Sequence, residues 1–150
     1  MPTAEAARGW ECQTERVERW EPAAKQEDVE LKAEVERAQE ILELDHDWDG
    51  EGSAGYSKNT LDRAVDFLRV HSTKGYDLCS AYPPAPRIGP GPNGSIDLHW
   101  KQKTWELLVN VPANDAGMAV FYGDDYGNQK IKGSFDPKTV NLGIVAWLMH

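Results

Sequence analysis

Three aspartates at alternate positions, Asp45, Asp47 and Asp49, run into Gly50 and reproduce the arrangement D-x-D-x-D-G. A hard cation such as calcium takes about six to eight oxygen ligands, and alternating carboxylates around a glycine turn supply several of them. The rest of such a loop departs from the pattern. Its closing position would be a glutamate binding through both oxygens, and here it is Tyr56; an apolar position is filled by Gly52. A calcium-binding helix–loop–helix over 45–56, with Asp45, Asp47 and Asp49 as ligands, is therefore the alternative reading of this segment. The plainer one is a loop between two helices. In it Trp48 plugs the core, Asp49-Gly50 makes the turn, and the carboxylates, Glu51 included, form a solvated rim or a patch for a basic partner.

A second group of candidates is Asp124-Asp125-Tyr126, which follows a strand carrying Tyr122. Aromatic residues anchor interfaces, so these four, together with the acidic loop, could form one recognition surface. For acid–base chemistry a titratable pair must meet in a cleft. His99 falls on the polar face of a strand, His46 in the acidic loop, and His71 at a helix end, where the dipole favours a cation. None belongs to an HExxH, GxSxG, Walker A or GxGxxG arrangement. Gly89-Pro-Gly-Pro-Asn-Gly94 looks like a phosphate cradle, but its prolines lack amide donors and a strand follows it. No catalytic residue is assigned, and a small enzyme with a site assembled only by folding is the remaining alternative.

The elements that would position these residues are readable from periodicity. Leu31, Val35, Ala38 and Leu42 make one apolar stripe of a helix over 29–44, with Glu and Lys on the other face. Leu61, Ala64, Val65 and Leu68 do the same for a helix over about 59–71, capped by Ser57 or Asn59. Residues 72–94 read as loop, with Arg87-Ile88 as an edge strand and Asn93-Gly94 as a hairpin turn. Alternation marks strands at 96–100, 105–111 and 118–122, and a weaker one at 129–132; Trp100 and Trp105 fall on the presumed inner face. Asp136-Pro137 reads as a helix start, with Val140, Ile144, Trp147 and Leu148 on one face. The expected fold is α+β: two N-terminal helices, an antiparallel meander of three to five strands and a C-terminal helix, as a two-layer sandwich. Residues 28–150 form the domain. Residues 1–27 form a tail whose Trp10 and Trp20 point to docking on the protein itself.

Composition narrows the function classes. The chain has 150 residues, 25 acidic against 16 basic, for a net charge of −9. Proteins that grip phosphate backbones gather Lys and Arg, so direct nucleic-acid binding is not expected. A protein partner with a basic surface is. No apolar run reaches the roughly 20 residues of a membrane span, and the N-terminus lacks a signal peptide's apolar segment. A cytoplasmic setting follows, in which Cys12 and Cys79, far apart and outside any CxxC pair, are expected as free thiols, with a single long-range disulfide between them as the alternative.

Trp48-Asp-Gly-Glu-Gly-Ser53, a following helix with Leu61, Ala64 and Phe67-Leu68, and Pro86-Arg-Ile-Gly-Pro-Gly-Pro-Asn-Gly-Ser-Ile-Asp-Leu-His-Trp100 carry a resemblance over roughly residues 42–122. The chain is similar to a family of small bacterial and phage proteins with a WDGxG(S/A) loop and a PxIxPxxxGxIxLxW hairpin. That resemblance implies the fold outline and a bacterial or phage origin, and brings no activity with it. Acidic charge, small size and the lack of a catalytic motif together point to a non-enzymatic binding protein. An antitoxin, an immunity protein or a phage-encoded inhibitor of a nucleic-acid-processing host protein fits, with no cofactor expected.

Overall fold

The structure, a computed structural model, describes residues 28–150. The expected tail at 1–27, with Trp10 and Trp20, lies outside them. The first helix, α1 (Val29–Ala38), starts where Asp28 accepts the Leu31 amide, and tightens into a 3-10 segment over Gln39–Glu43. Its stripe buries Leu31, Val35 and Ala38. The other Asp28 oxygen accepts the Ser72 hydroxyl at 2.6 Å, so one side chain both caps α1 and ties it to the next helix.

That helix, α2, runs Lys58–Cys79 behind the cap of Ser57, two turns beyond its expected end. The extension is legible only in three dimensions. Gly75, inside the stretch 72–94 that reads as loop, stays helical because Pro83 and Met149 pack onto it: a Cβ there would lie 3.1 Å from Pro83 Cδ and 2.9 Å from Met149 Sδ. Glycine's cost in a helix is about 1 kcal/mol, which such packing can offset. The helix stops at Ser80, which takes a left-handed φ of 57°.

Five antiparallel strands follow in sequence order: β1 (Arg87–Pro90), β2 (Ile96–Lys101), β3 (Glu106–Val111), β4 (Ala119–Asp124) and β5 (Lys130–Phe135). The β1–β2 turn uses Asn93 and Gly94 at φ 56° and 79°, as the Asn-Gly pair predicted. Period-two alternation sends Ile88, Ile96, Leu98, Trp100, Leu107, Val109, Val111 and Ala119 into a core shared with the helices. Trp105 is buried beside them, and Trp100 donates its indole N–H to Pro84 O at 2.8 Å.

The edge at β1 is closed by α1. Glu34 accepts the Ile88 amide at 2.9 Å and Arg37 donates to the Ile88 carbonyl, so both outward-facing groups of that residue are used. Burial pushes the Glu34 carboxyl up, yet the Arg37 guanidinium and the Ile88 N–H together hold it below its ordinary value.

The last helix, α3 (Leu142–Leu148), starts later than Asp136-Pro137 suggested. Asp136 instead closes a turn, accepting the amides of Lys138 and Thr139, and Asn141 caps the helix by accepting from Ile144. Val140 therefore drops out of the predicted stripe and is exposed, while Ile144, Trp147 and Leu148 are buried. Among the described residues the fold is α+β: a five-stranded antiparallel sheet with three α-helices, one of them C-terminal. No helix among the described residues is long and apolar enough to cross a membrane.

Candidate functional site

The net charge is unevenly placed. Residues 28–51 hold ten acidic residues and two basic ones, whereas residues 52–150 hold nine acidic and ten basic. Within that first stretch Asp28 and Glu34 are spent on internal contacts. The other eight carboxylates, Glu30, Glu36, Glu40, Glu43, Asp45, Asp47, Asp49 and Glu51, are exposed.

The loop that carries the last four is built on backbone bonds. Asp47, at a left-handed φ of 64°, gives its amide to Ser53 O at 2.6 Å and takes the Gly52 amide on Oδ1 at 2.6 Å. Asp49 Oδ1 accepts the Glu51 amide at 2.9 Å, and its Oδ2 accepts the Ser53 hydroxyl. The Ser53 hydroxyl first, then the Glu51 amide, hold the Asp49 carboxyl below its ordinary value. Two of the three aspartates proposed as calcium ligands thus serve as acceptors for their own loop. Among the described residues no group of three or more His, Cys, Asp or Glu side chains is arranged to hold a metal ion.

Trp48 corrects the sequence reading. It does not plug the core but stands 39% exposed, its indole N–H donated to Ala54 O at 3.2 Å and its ring tilted against Tyr56 at 6.2 Å. Tyr56 in turn donates its hydroxyl to Gly91 O at 2.7 Å, fixing the loop to the β1–β2 turn. A large aromatic is therefore presented to solvent in a set orientation among carboxylates.

At the other end of the strands Asp125 accepts the amides of Gly127, Asn128 and Gln129. The Gln129 and Asn128 amides hold its carboxyl below the usual range. Asp124 accepts the amide of Tyr126, which sits at φ 64°. The Tyr126 hydroxyl donates to Glu106 Oε1 at 2.9 Å, and His99 Nε2 meets Glu106 Oε2 at 2.7 Å. Lys101 lies 3.6 Å from the same carboxylate and 5.9 Å from the Tyr126 ring centre. The His99 bond, then the Tyr126 bond, keep Glu106 ionised to lower pH than an ordinary glutamate. Sequence reading missed this cluster because Glu106 looks like any polar strand residue. Its signal is the register, which sets His99 beside Leu108 and Lys101 beside Glu106 on adjacent strands.

The sequence-predicted residues therefore fall into two groups. Asp45, Asp47, Asp49 and Glu51 lie at the end of the sheet with the β1–β2 turn. Tyr122, Asp124, Asp125 and Tyr126 lie on β4 and the β4–β5 turn, toward the opposite end. A six-residue strand spans about 20 Å, so the two groups stand at opposite ends of the sheet and make no common cluster of side chains.

His71 and Cys79 also differ from expectation. His71 is not at a helix end but inside α2, 1% exposed and stacked 4.0 Å from Phe67. Its Nε2 accepts the Asn141 amide at 3.0 Å, which leaves Nδ1–H to donate to Phe67 O at 2.9 Å. Burial lowers its pKa, so the neutral imidazole is the structural form. Cys79, expected as a free thiol, is disulfide-bonded; Cys12 lies outside the described residues.

Comparison with known proteins adds no relative: no family model matches the chain, no curated protein is similar to it, and no solved structure matches its fold.

Proposed function

We propose that this chain is a non-enzymatic binding protein that docks a basic protein surface through residues 30–51. The observation that carries the reading is the charge segregation: eight exposed carboxylates in one stretch, in a chain otherwise almost balanced. Trp48 supplies what charge alone lacks. A lysine or arginine side chain over an exposed tryptophan gains about 0.5–1 kcal/mol, and more once water is excluded. The loop's internal hydrogen bonds reduce the ordering cost of binding, which favours a rigid acidic anchor.

An antitoxin, an immunity protein or a phage-encoded inhibitor of a nucleic-acid-processing host protein has this chemistry, since the targets of such proteins carry basic grooves. The similarity to small bacterial and phage proteins with the WDGxG(S/A) loop belongs to the same reading. So does the two-layer arrangement, with the helices on one sheet face, which the burial of alternate strand residues supports. The cytoplasmic setting is weighed against by the disulfide at Cys79, because reducing compartments keep thiols reduced.

The test is a tagged pull-down from a bacterial lysate, comparing the native chain with one carrying Glu36→Gln, Glu40→Gln, Glu43→Gln, Asp45→Asn and Glu51→Gln. Asp47 and Asp49 are left intact because the loop needs them. The native chain is expected to retain a basic, nucleic-acid-binding protein that the variant and Trp48→Ala both lose. Retrieval of no basic protein, or equal retrieval by all three, removes the proposal.

A further inference from the structure

Cys79 is the last residue of α2, and it is disulfide-bonded. The sequence holds one other cysteine, Cys12. A thiol tethered in the same chain reaches Cys79 at an effective concentration of about a millimolar, well above that of a second copy in dilute solution. The position of the two ends of the intervening chain matters next. Asp28, at the start of α1, accepts the Ser72 hydroxyl from α2 at 2.6 Å. Ser72 precedes Cys79 on the same helix by about 10 Å, at 1.5 Å of rise per residue. A connection from a cysteine bonded to Cys79 back to Asp28 thus starts and ends on one stretch of α2, although its roughly sixteen residues could extend to about 50 Å. It has to fold back over the surface near its ends. That surface carries a groove of about 360 Å³ between α1 and α2, to which Leu31, Val35, Thr73 and Tyr82 contribute walls.

We infer that Cys12 is the partner of Cys79, and that this disulfide straps residues 13–27 across the groove with Trp20 seated in it. Trp20 is eight residues from either anchor, Cys12 or Asp28, so its ring can reach the middle of the groove; Trp10 falls outside the closed segment. An indole can bury about 150–250 Å² against such walls. Charge does not choose this site. Residues 13–27 hold four acidic and three basic residues, and the groove presents Lys32 and Arg69 beside Asp28. Apolar contact and the covalent tether carry the seating. Closure is a thiol–disulfide exchange with a small-molecule disulfide such as glutathione disulfide. One cysteine thiolate attacks it and releases one thiol; the other thiolate then displaces the second thiol from the mixed disulfide, so the two cysteines lose two electrons and the reagent gains them. Excess thiol drives the same exchange backwards and lifts the strap. The groove beside the acidic helix is therefore covered in an oxidising setting and open in a reducing one.

The experiment takes the full chain equilibrated with glutathione disulfide, and the same chain after reduction with dithiothreitol. Peptide mapping of the oxidised chain should give one Cys12–Cys79 cross-linked pair in a monomer. Trp20 emission, read as the native spectrum minus that of Trp20→Phe, should be shielded from acrylamide in the oxidised chain and quenched several-fold more steeply after reduction. Reduction should lower Tm by roughly 5–15 °C, because a closed loop of roughly 70 residues no longer restrains the unfolded chain. Cys12→Ser should behave as the reduced chain under both conditions, with an unchanged circular dichroism spectrum. Thr73→Phe fills the groove from an exposed position on α2; it should keep the disulfide yet leave Trp20 open to the quencher. Two titratable thiols after oxidation, or a dimer linked through Cys79, overturns the pairing. With the disulfide in place, Trp20 quenched alike before and after reduction, or shielded equally in Thr73→Phe, overturns the seating.

Discussion

Replacing His71 by phenylalanine tests the account of the core most sharply. Phenylalanine keeps the ring against Phe67 and nearly the same volume, so packing is little changed. What disappears is the acceptor for the Asn141 amide, 3.0 Å from Nε2, at the N-cap of α3, together with the Nδ1–H bond to the Phe67 carbonyl. An orphaned buried donor costs about 1–3 kcal/mol, and Asn141 is only partly buried, so about 1–2 kcal/mol is expected at pH 8. For a domain of this size that is roughly 3–10 °C in Tm. The pH dependence follows from the neutral state of the native imidazole. Its folded pKa is depressed, whereas the unfolded chain titrates near the ordinary histidine value of about 6.5. Below that pH the unfolded state takes up a proton that the folded state resists. Stability from this site is therefore complete above about pH 7 and is lost as pH falls, by up to about 1.4 kcal/mol per pH unit. The Phe variant lacks the term, so its deficit should shrink between pH 8 and pH 5.5 and can reverse. The carboxylate nearest His71 in the fold, Asp28, holds Ser72 in both proteins, so the difference between them isolates the imidazole. Urea or thermal unfolding followed by circular dichroism at both pH values decides it. A deficit that stays constant with pH, or a variant as stable as the native chain at pH 8, refutes the assignment.

Three further outcomes are expected. Gly75→Val should destabilise by about 1–3 kcal/mol despite valine's better helix propensity, because its branches meet the Pro83 ring; Gly127→Ala, with open space around its Cβ, should stay within about 0.5 kcal/mol in the same melts. Trp100→Phe should cost about 2 kcal/mol by losing the bond to Pro84 O and leaving a void, read as a lower urea midpoint with unchanged slope. Asp49→Ala should speed amide exchange at Glu51 and Ser53, whereas Asp45→Ala should leave those amides unchanged; equal exchange in both would refute the loop geometry.

Most strands were legible because alternation is a local property: Ile96, Leu98 and Trp100, or Leu107, Val109 and Val111, declare a buried face without reference to any partner. The cap at Ser57, the stripe of α1 and the Asn93-Gly94 turn are local in the same sense, each set by residues within a few positions. Strand β4 shows the limit. Met118, Val120 and Tyr122 are as apolar as Ala119 and Phe121, and only pairing with β3 and β5 turns Ala119 inward and leaves Tyr122 exposed.

The remaining features depend on contacts between distant segments. Gly75 continues a helix because Pro83 and Met149 close over it, and His71 is a core residue because α3 brings Asn141 to its ring. Trp48 faces solvent because Ala54 and Tyr56 hold it there. Glu106 gathers His99 and Tyr126 from β2 and the β4–β5 turn, a meeting that only strand register brings about. The same register parts the acidic loop from the tyrosine-bearing turn. Side-chain type and spacing along the chain thus determined which elements form and how much charge they carry. Only the packing of those elements decided which carboxylates are spent on backbone amides, which imidazole is buried, and which aromatic rings stay open to a partner, because desolvation and hydrogen-bond satisfaction are properties of the assembled surface.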